Sequence, residues 1–126
     1  MLVVEDDERL RQPLEKFLRL RGFEVWPAST AVDALDAIRL ERPAAAIVDL
    51  NLPRNCGVDV VASMPPGAPV IMLSGGRCEW QELERLRPRS RIVAKPCSLV
   101  ILIDLLKEML ASTGLVDRTV RLTPAV

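Results

Sequence analysis

Short apolar runs alternate with longer apolar stripes along this chain. Leu2-Val3-Val4 is an apolar run that stops at Glu5-Asp6-Asp7, as a parallel strand buried on both faces does where it leaves its sheet. Leu10, Leu14, Phe17 and Leu18 then recur at helical spacing, with Gly22 placed to cap the C-terminus. Pro13 falls inside that stripe, where a proline removes one backbone bond at a cost of about 3 kcal/mol. The pattern predicts a slight kink there, the alternative being a helix that starts only near Pro13.

Phe23-Glu24-Val25-Trp26 reads as a second strand. Ser29 or Thr30 is placed to cap a helix through Arg39, with Val32, Leu35 and Ile38 on its inner stripe. Pro43 closes that unit. Ala44 to Val48 is continuously apolar, the mark of a central strand, and Asp49 stands at its end. Leu50 to Gly57 reads as a loop. Val58, Val61 and Ala62 form a short helix that Pro65-Pro66 stops, and Val70 to Leu73 is a further strand ending at Ser74-Gly75-Gly76. Trp80, Leu83 and Leu86 predict a modest helix before Pro88. Ile92-Val93-Ala94 is the last strand, ending at Lys95-Pro96, and Leu99 to Leu110 is an apolar helix with Ile103, Leu106 and Leu110 on one face. Ala111 to Val126 shows no clear periodicity.

Strands that alternate with helices in this way predict an α/β fold, a doubly wound parallel sheet, because right-handed crossovers require it. Such sheets bind ligands outside the carboxyl ends of their strands. Glu5 and Asp6, Asp49, Ser74 and Lys95 each stand at the carboxyl end of a different predicted strand. One rim thus receives three carboxylates, a hydroxyl and an ammonium.

Composition narrows what that rim can serve. The chain has 126 residues, of which 49% are hydrophobic and 27% charged, which fits one globular domain. Lys+Arg and Asp+Glu both number 17, so no basic surplus points to nucleic acid or to an anionic membrane. No apolar run approaches the roughly 20 residues that span a bilayer. The first residues lack the basic and apolar regions of a signal peptide. Cys56, Cys78 and Cys97 are well separated and odd in number, so they read as reduced side chains of a cytoplasmic protein rather than as a disulfide framework or a zinc site.

Crowded carboxylates repel one another, and a hard divalent cation relieves the repulsion. With no His in the chain, zinc is disfavoured and Mg²⁺ fits the oxygen donors best. Mg²⁺ gathers an incoming phosphoryl group, Lys95 supplies a cation for its oxygens, and Ser74 supplies a donor. Asp49 is then the nucleophile, since a carboxylate forms an aspartyl phosphate.

VVEDD, IVDLNLPRNCG, VIMLSGG and IVAKP, in that order and spacing, resemble the receiver domain of two-component response regulators, from Met1 to about Leu110. The resemblance implies a flavodoxin-like sheet of five strands in the order 2-1-3-4-5 with five helices, a receiver over residues 1–111 and a tail or linker over 112–126. It implies that Glu5 and Asp6 organise Mg²⁺, that Asp49 is the phosphoacceptor and a metal ligand, and that the backbone carbonyl of Asn51 completes the ligands. Ser74 would bond the phosphoryl group, Lys95 would pair with it, and the Lys95–Pro96 peptide would be cis. The implied donor is a phosphohistidine on a histidine kinase or phosphotransfer protein. The chain would be a switch rather than an enzyme, catalysing only its own phosphorylation and dephosphorylation.

Several positions depart from the family pattern. Ile92 stands where receivers usually carry Tyr or Phe, so it cannot offer a hydroxyl at the face built by the fourth helix, fifth strand and fifth helix. Gly75 and Gly76 leave the acyl phosphate open to water, which predicts a short-lived signal. Output would pass to a partner or effector, and Val100 and Ile101 on the outer side of the last helix are candidates for a partner or homodimer surface. The tail, ending RTVRLTPAV, reads as an extension or as a linker toward an effector beyond residue 126. The alternatives are a phosphorylation-independent pseudo-receiver acting as a binding module, and a hydrolase with an aspartyl nucleophile, for which the sequence offers neither a substrate pocket nor a second general acid.

Overall fold

Alternation along the strands sorts the core into two layers. Leu2, Val4, Ala46, Val48, Val70 and Met72 point to one face of a parallel sheet, and Val3, Ile47, Ile71 and Leu73 to the other. A computed structural model describes residues 1–52, 57–75, 87, 90–96 and 98–113. The strands are β1 (Leu2–Val4), β2 (Trp26–Ala28), β3 (Ala46–Asp49), β4 (Val70–Ser74) and β5 (Arg91–Ala94). They pair in parallel in the order β2-β1-β3-β4-β5, as expected. β1, β3 and β4 are wholly buried, which is why they appear in the sequence as unbroken apolar runs.

The described helices, numbered in chain order, are α1 (Glu8–Leu20), α2 (Ala31–Glu41), α3 (Val58–Ser63) and α4 (Leu99–Thr113). Leu14 and Leu18 of α1 join Leu102, Leu106, Met109 and Leu110 of α4 against one face of the sheet. Ala31, Ala34 and Ile38 of α2 join Val60 and Val61 of α3 against the other. The helix expected around Trp80 to Leu86 lies outside the described residues, as do Cys56, Cys78, Cys97 and the tail beyond Thr113.

Local signals explain the ends of α1. Asp7 caps its start by accepting the Arg9 N–H at 2.9 Å. Gly22, at φ 85°, ends it, with Phe23 N–H donating to Leu18 O at 3.1 Å and Gly22 N–H to Arg19 O at 3.0 Å, the paired bonds of a glycine-terminated helix. The helix runs unbroken past Pro13, so it does not start late.

Three expectations shift. The second strand is Trp26–Ala28 rather than Phe23 to Trp26, because Phe23 and Val25 are spent packing on the α1–α4 layer before the chain enters the sheet. Val32 is 60% exposed rather than inward, and α2 presents Ala31 and Ala34 instead. The last helix continues beyond Leu110 to Thr113. Pro27, exposed, sits mid-strand in β2 at one end of the sheet. Trp26 N–H donates to Met1 O and Ala28 O accepts from Glu5 N–H, both toward β1, so alternation turns Pro27 and its missing donor toward the open edge.

Candidate functional site

Four of the five parallel strands deliver a reactive group to the upper rim. Glu5 follows β1, Asp49 is the last residue of β3, Ser74 is the last of β4, and Lys95 follows β5. Register brings these ends side by side, since Asp49 lies opposite Leu73, and Ser74 opposite Ala94. Lys95 N–H donates to Ser74 O at 2.7 Å, which continues the ladder one step past β5.

Glu5, Asp6 and Asp49 each place a carboxylate oxygen within 4.8 Å of the others. Glu5 and Asp49 are buried, and Asp6 is exposed on the solvent side. Lys95 Nζ lies 2.9 Å from Asp49 Oδ2 and 2.9 Å from Glu5 Oε1. The contact with Asp49 has hydrogen-bond geometry, whereas Glu5 Oε1 keeps no directed hydrogen bond. Asp49 Oδ1 accepts the Asn51 N–H at 2.9 Å, and Glu5 Oε2 accepts the Asp7 N–H at 3.2 Å. One ammonium therefore serves two buried carboxylates, with a third close by.

The electrostatics follow from that shortage of positive charge. Burial pushes the Glu5 carboxyl up to about 7 against the partial relief given by Lys95, and neighbouring Asp49 and Asp6 raise it further. Burial alone would lower the Lys95 ammonium, yet Asp49 and Glu5 outweigh it and hold Lys95 above its ordinary range. A divalent cation fits this donor set: all the donors are hard oxygens, and a buried Glu5 oxygen lacks a directed partner.

The family model of the response regulator receiver domain matches residues 1–107. The chain belongs to that family. The receiver is 44% identical over 80 residues to the transcriptional regulatory protein PrrA of Mycobacterium tuberculosis, covering 59% of this chain and 33% of that protein. It is 35% identical over 77 residues to the response regulator MprA of Mycobacterium avium, covering 59% of this chain and 34% of the relative. The matched part of the receiver is thus about a third of the length of these relatives. Among solved structures, a CheY-like receiver domain protein from Methanospirillum hungatei superposes with a TM-score of 0.75 at 25% identity, over 90% of this chain and 94% of that one. The non-phosphorylated HemR receiver domain of Leptospira biflexa gives 0.74 at 26% identity, over 86% and 90%.

The receiver fold brings Glu5, Asp6, Asp49 and Lys95 together as the sequence predicts. Ser74 stands at the neighbouring strand end with its Oγ buried and without a hydrogen-bond partner. The Lys95–Pro96 peptide is cis. Ile92 is half-buried and packs against the α2–α3 layer. Three features escaped sequence reasoning. Asn51 Oδ1 accepts the Gly75 N–H at 2.6 Å, tying the loop after Asp49 to the residue after Ser74. Gly57 packs so closely that a Cβ there would lie 2.3 Å from the Asp49 carbonyl oxygen. Arg11 NH1 donates to the Glu5 carbonyl at 2.7 Å.

Beside Lys95 lies an open depression of about 630 Å³, lined by Asp7, Arg9, Leu10, Gly75 and Leu99 among others. A larger groove of about 720 Å³ runs over α1 and the β2–α2 turn, with Arg11 and Ala28 in its lining. Its Glu15 and Arg19 pair with each other at 3.1 Å.

Proposed function

We propose that this chain is a phosphoacceptor switch, in which Asp49 takes a phosphoryl group from a phosphohistidine on a histidine kinase or phosphotransfer protein. The observation that carries this reading is a buried Asp49 carboxylate held at 2.9 Å by Lys95, with two further carboxylates close enough to share a cation. In the transfer an Asp49 carboxylate oxygen bonds to phosphorus as the N–P bond of the donor breaks, and the departing electron pair stays on the donor imidazole, which takes up a proton. The Glu5, Asp6 and Asp49 carboxylates with the Asn51 backbone carbonyl would hold Mg²⁺. When bound, the ion supplies positive charge for the phosphoryl oxygens as they move between acceptor and donor.

Lys95 exchanges its grip on a bare carboxylate for one on the new phosphoryl oxygens, and Ser74 has a free hydroxyl to offer them. Phosphorylation then shifts a pre-existing equilibrium between two conformations, and a partner or effector reads the shift. Residues 1–111 would act as the switch and 112–126 as a tail or linker, in the cytoplasm, where the donor proteins phosphorylate their targets. No helix among the described residues is long and apolar enough to cross a membrane. The PrrA relatives are named as transcriptional regulatory proteins and are about three times as long as the part matched here. The even balance of 17 basic and 17 acidic residues argues against direct nucleic-acid binding by this chain.

Incubation with acetyl phosphate and Mg²⁺, followed by intact mass, tests the reading. The wild type should gain one phosphoryl group and Asp49→Asn none. A wild type that binds Mg²⁺ but gains nothing would sink the switch and leave a phosphorylation-independent binding module.

A further inference from the structure

We infer that Arg11 is a positioning residue for the divalent-cation site, holding the Glu5–Asp6 turn so that both carboxylates face Asp49. The inference rests on the metal-site reading above and concerns a residue that touches none of the site's carboxylates.

Glu5 and Asp6 lie just past the last β1 residue, where the ladder no longer constrains the chain. The Glu5 N–H still reaches Ala28 O at 3.0 Å, but its carbonyl has left the sheet. Arg11 NH1 takes that carbonyl at 2.7 Å, from the second turn of α1. A charged donor makes this bond stronger than a backbone one. The guanidinium is itself braced, with NH2 3.5 Å from Glu8 Oε1 and Nε 3.4 Å from Glu15 Oε2. Glu15 in turn holds Arg19 at 3.1 Å. The Arg11 side chain is only 13% exposed, so this is an inward arrangement rather than a surface pair.

Two consequences follow. Glu8 and Glu15 answer the Arg11 charge, so Arg11 orients the turn without competing with a cation for the carboxylates, as Lys95 does at Glu5 and Asp49. One planar fork also meets acceptors on three residues, which an ammonium on a flexible stem cannot do in fixed geometry. Groups that orient metal ligands from behind typically change metal affinity about 10- to 100-fold when removed. Mg²⁺ demands near-octahedral geometry at short distances, whereas Ca²⁺ tolerates irregular sites. A loosened Glu5–Asp6 turn therefore weakens Mg²⁺ more than Ca²⁺.

The test titrates MgCl₂ and CaCl₂ by calorimetry into the full chain, as wild type, Arg11→Met and Arg11→Lys. Methionine keeps the apolar stem and removes the donors, and melting in EDTA verifies the fold. Arg11→Met should lose about tenfold or more in Mg²⁺ affinity. Its Mg²⁺-to-Ca²⁺ preference should fall as well, and lysine should recover only part of both. Unchanged Mg²⁺ affinity, an equal loss for both ions, or full recovery by lysine would overturn the role. Should Arg11→Met not fold, Glu15→Gln slackens the same brace with Arg11 in place, and an unchanged ion preference there overturns it equally. A wild type without Asp49-dependent Mg²⁺ binding removes the metal site itself, and this role with it. Wild-type binding matched by the methionine variant removes the Arg11 role alone.

Discussion

Glu5 is the residue at which the electrostatic cost of the rim concentrates. Its side chain is fully buried beside two other carboxylates, and its carboxyl is pushed from 4.5 up to about 7. The folded form therefore binds the Glu5 proton more tightly than the unfolded chain. The sign follows from that: between pH 4.5 and pH 7 this group makes the metal-free protein less stable as pH rises, and above pH 7 the penalty is fully present. Mg²⁺ offsets it, so the rise in Tm on adding Mg²⁺ should grow from pH 5.5 to pH 8. Melting curves with and without EDTA check this against Glu5→Gln, which should flatten the metal-free trend. Parallel pH profiles for both proteins would contradict the account. Glu5, Asp49, Ser74 and Lys95 were legible in the sequence because each interrupts or follows an apolar run, where a polar group stands out. Arg11 was not, since its partner is a backbone carbonyl that leaves no mark in a sequence. The one available signal was its spacing from Glu8 and Glu15, at i,i+3 and i,i+4 on one helix.

Among the elements, α2 is capped by the residue just before it, Thr30. Thr30 Oγ1 accepts the Asp33 N–H at 3.1 Å, deciding between the two capping candidates that the sequence leaves open. Thr30→Ala should lower stability by about 1 kcal/mol. Thermal melting should register a fall in Tm of roughly 4 °C in a domain of this size. Ser29→Ala should do much less, and equal losses would place the cap elsewhere. The inner stripe of α2 was harder to read, because bulk in a sequence is weighted over fit. Ala31 and Ala34 let the helix lie close over β1 and β2, which leaves Val32 exposed and Leu35 only partly covered. The same bias drew the second strand toward Phe23 and Val25, whose apolar side chains report burial and not ladder pairing. β1 and β4 were legible almost to the residue, since strands covered on both faces must be apolar throughout, whereas β3 starts at Ala46, two residues after the apolar run begins.

For the whole molecule, the sheet is a two-sided core whose open edges are set by its topology. β5 ends it on one side with the exposed Arg91, and β2 ends it on the other with Pro27. An unpaired strand edge is a template on which another chain can add itself to a sheet. A proline whose absent donor faces outward denies an extended chain the bond it would need to add itself to the sheet. Pro27→Val should restore that donor, and during storage at high concentration it should form dye-binding fibrillar aggregate sooner than the wild type. Sedimentation and thioflavin fluorescence would show it, and identical ageing would mean that the edge is guarded by something else. In a crowded solution, then, a single imino acid on the outer side of β2 denies neighbouring copies of this receiver a template along that edge of the sheet.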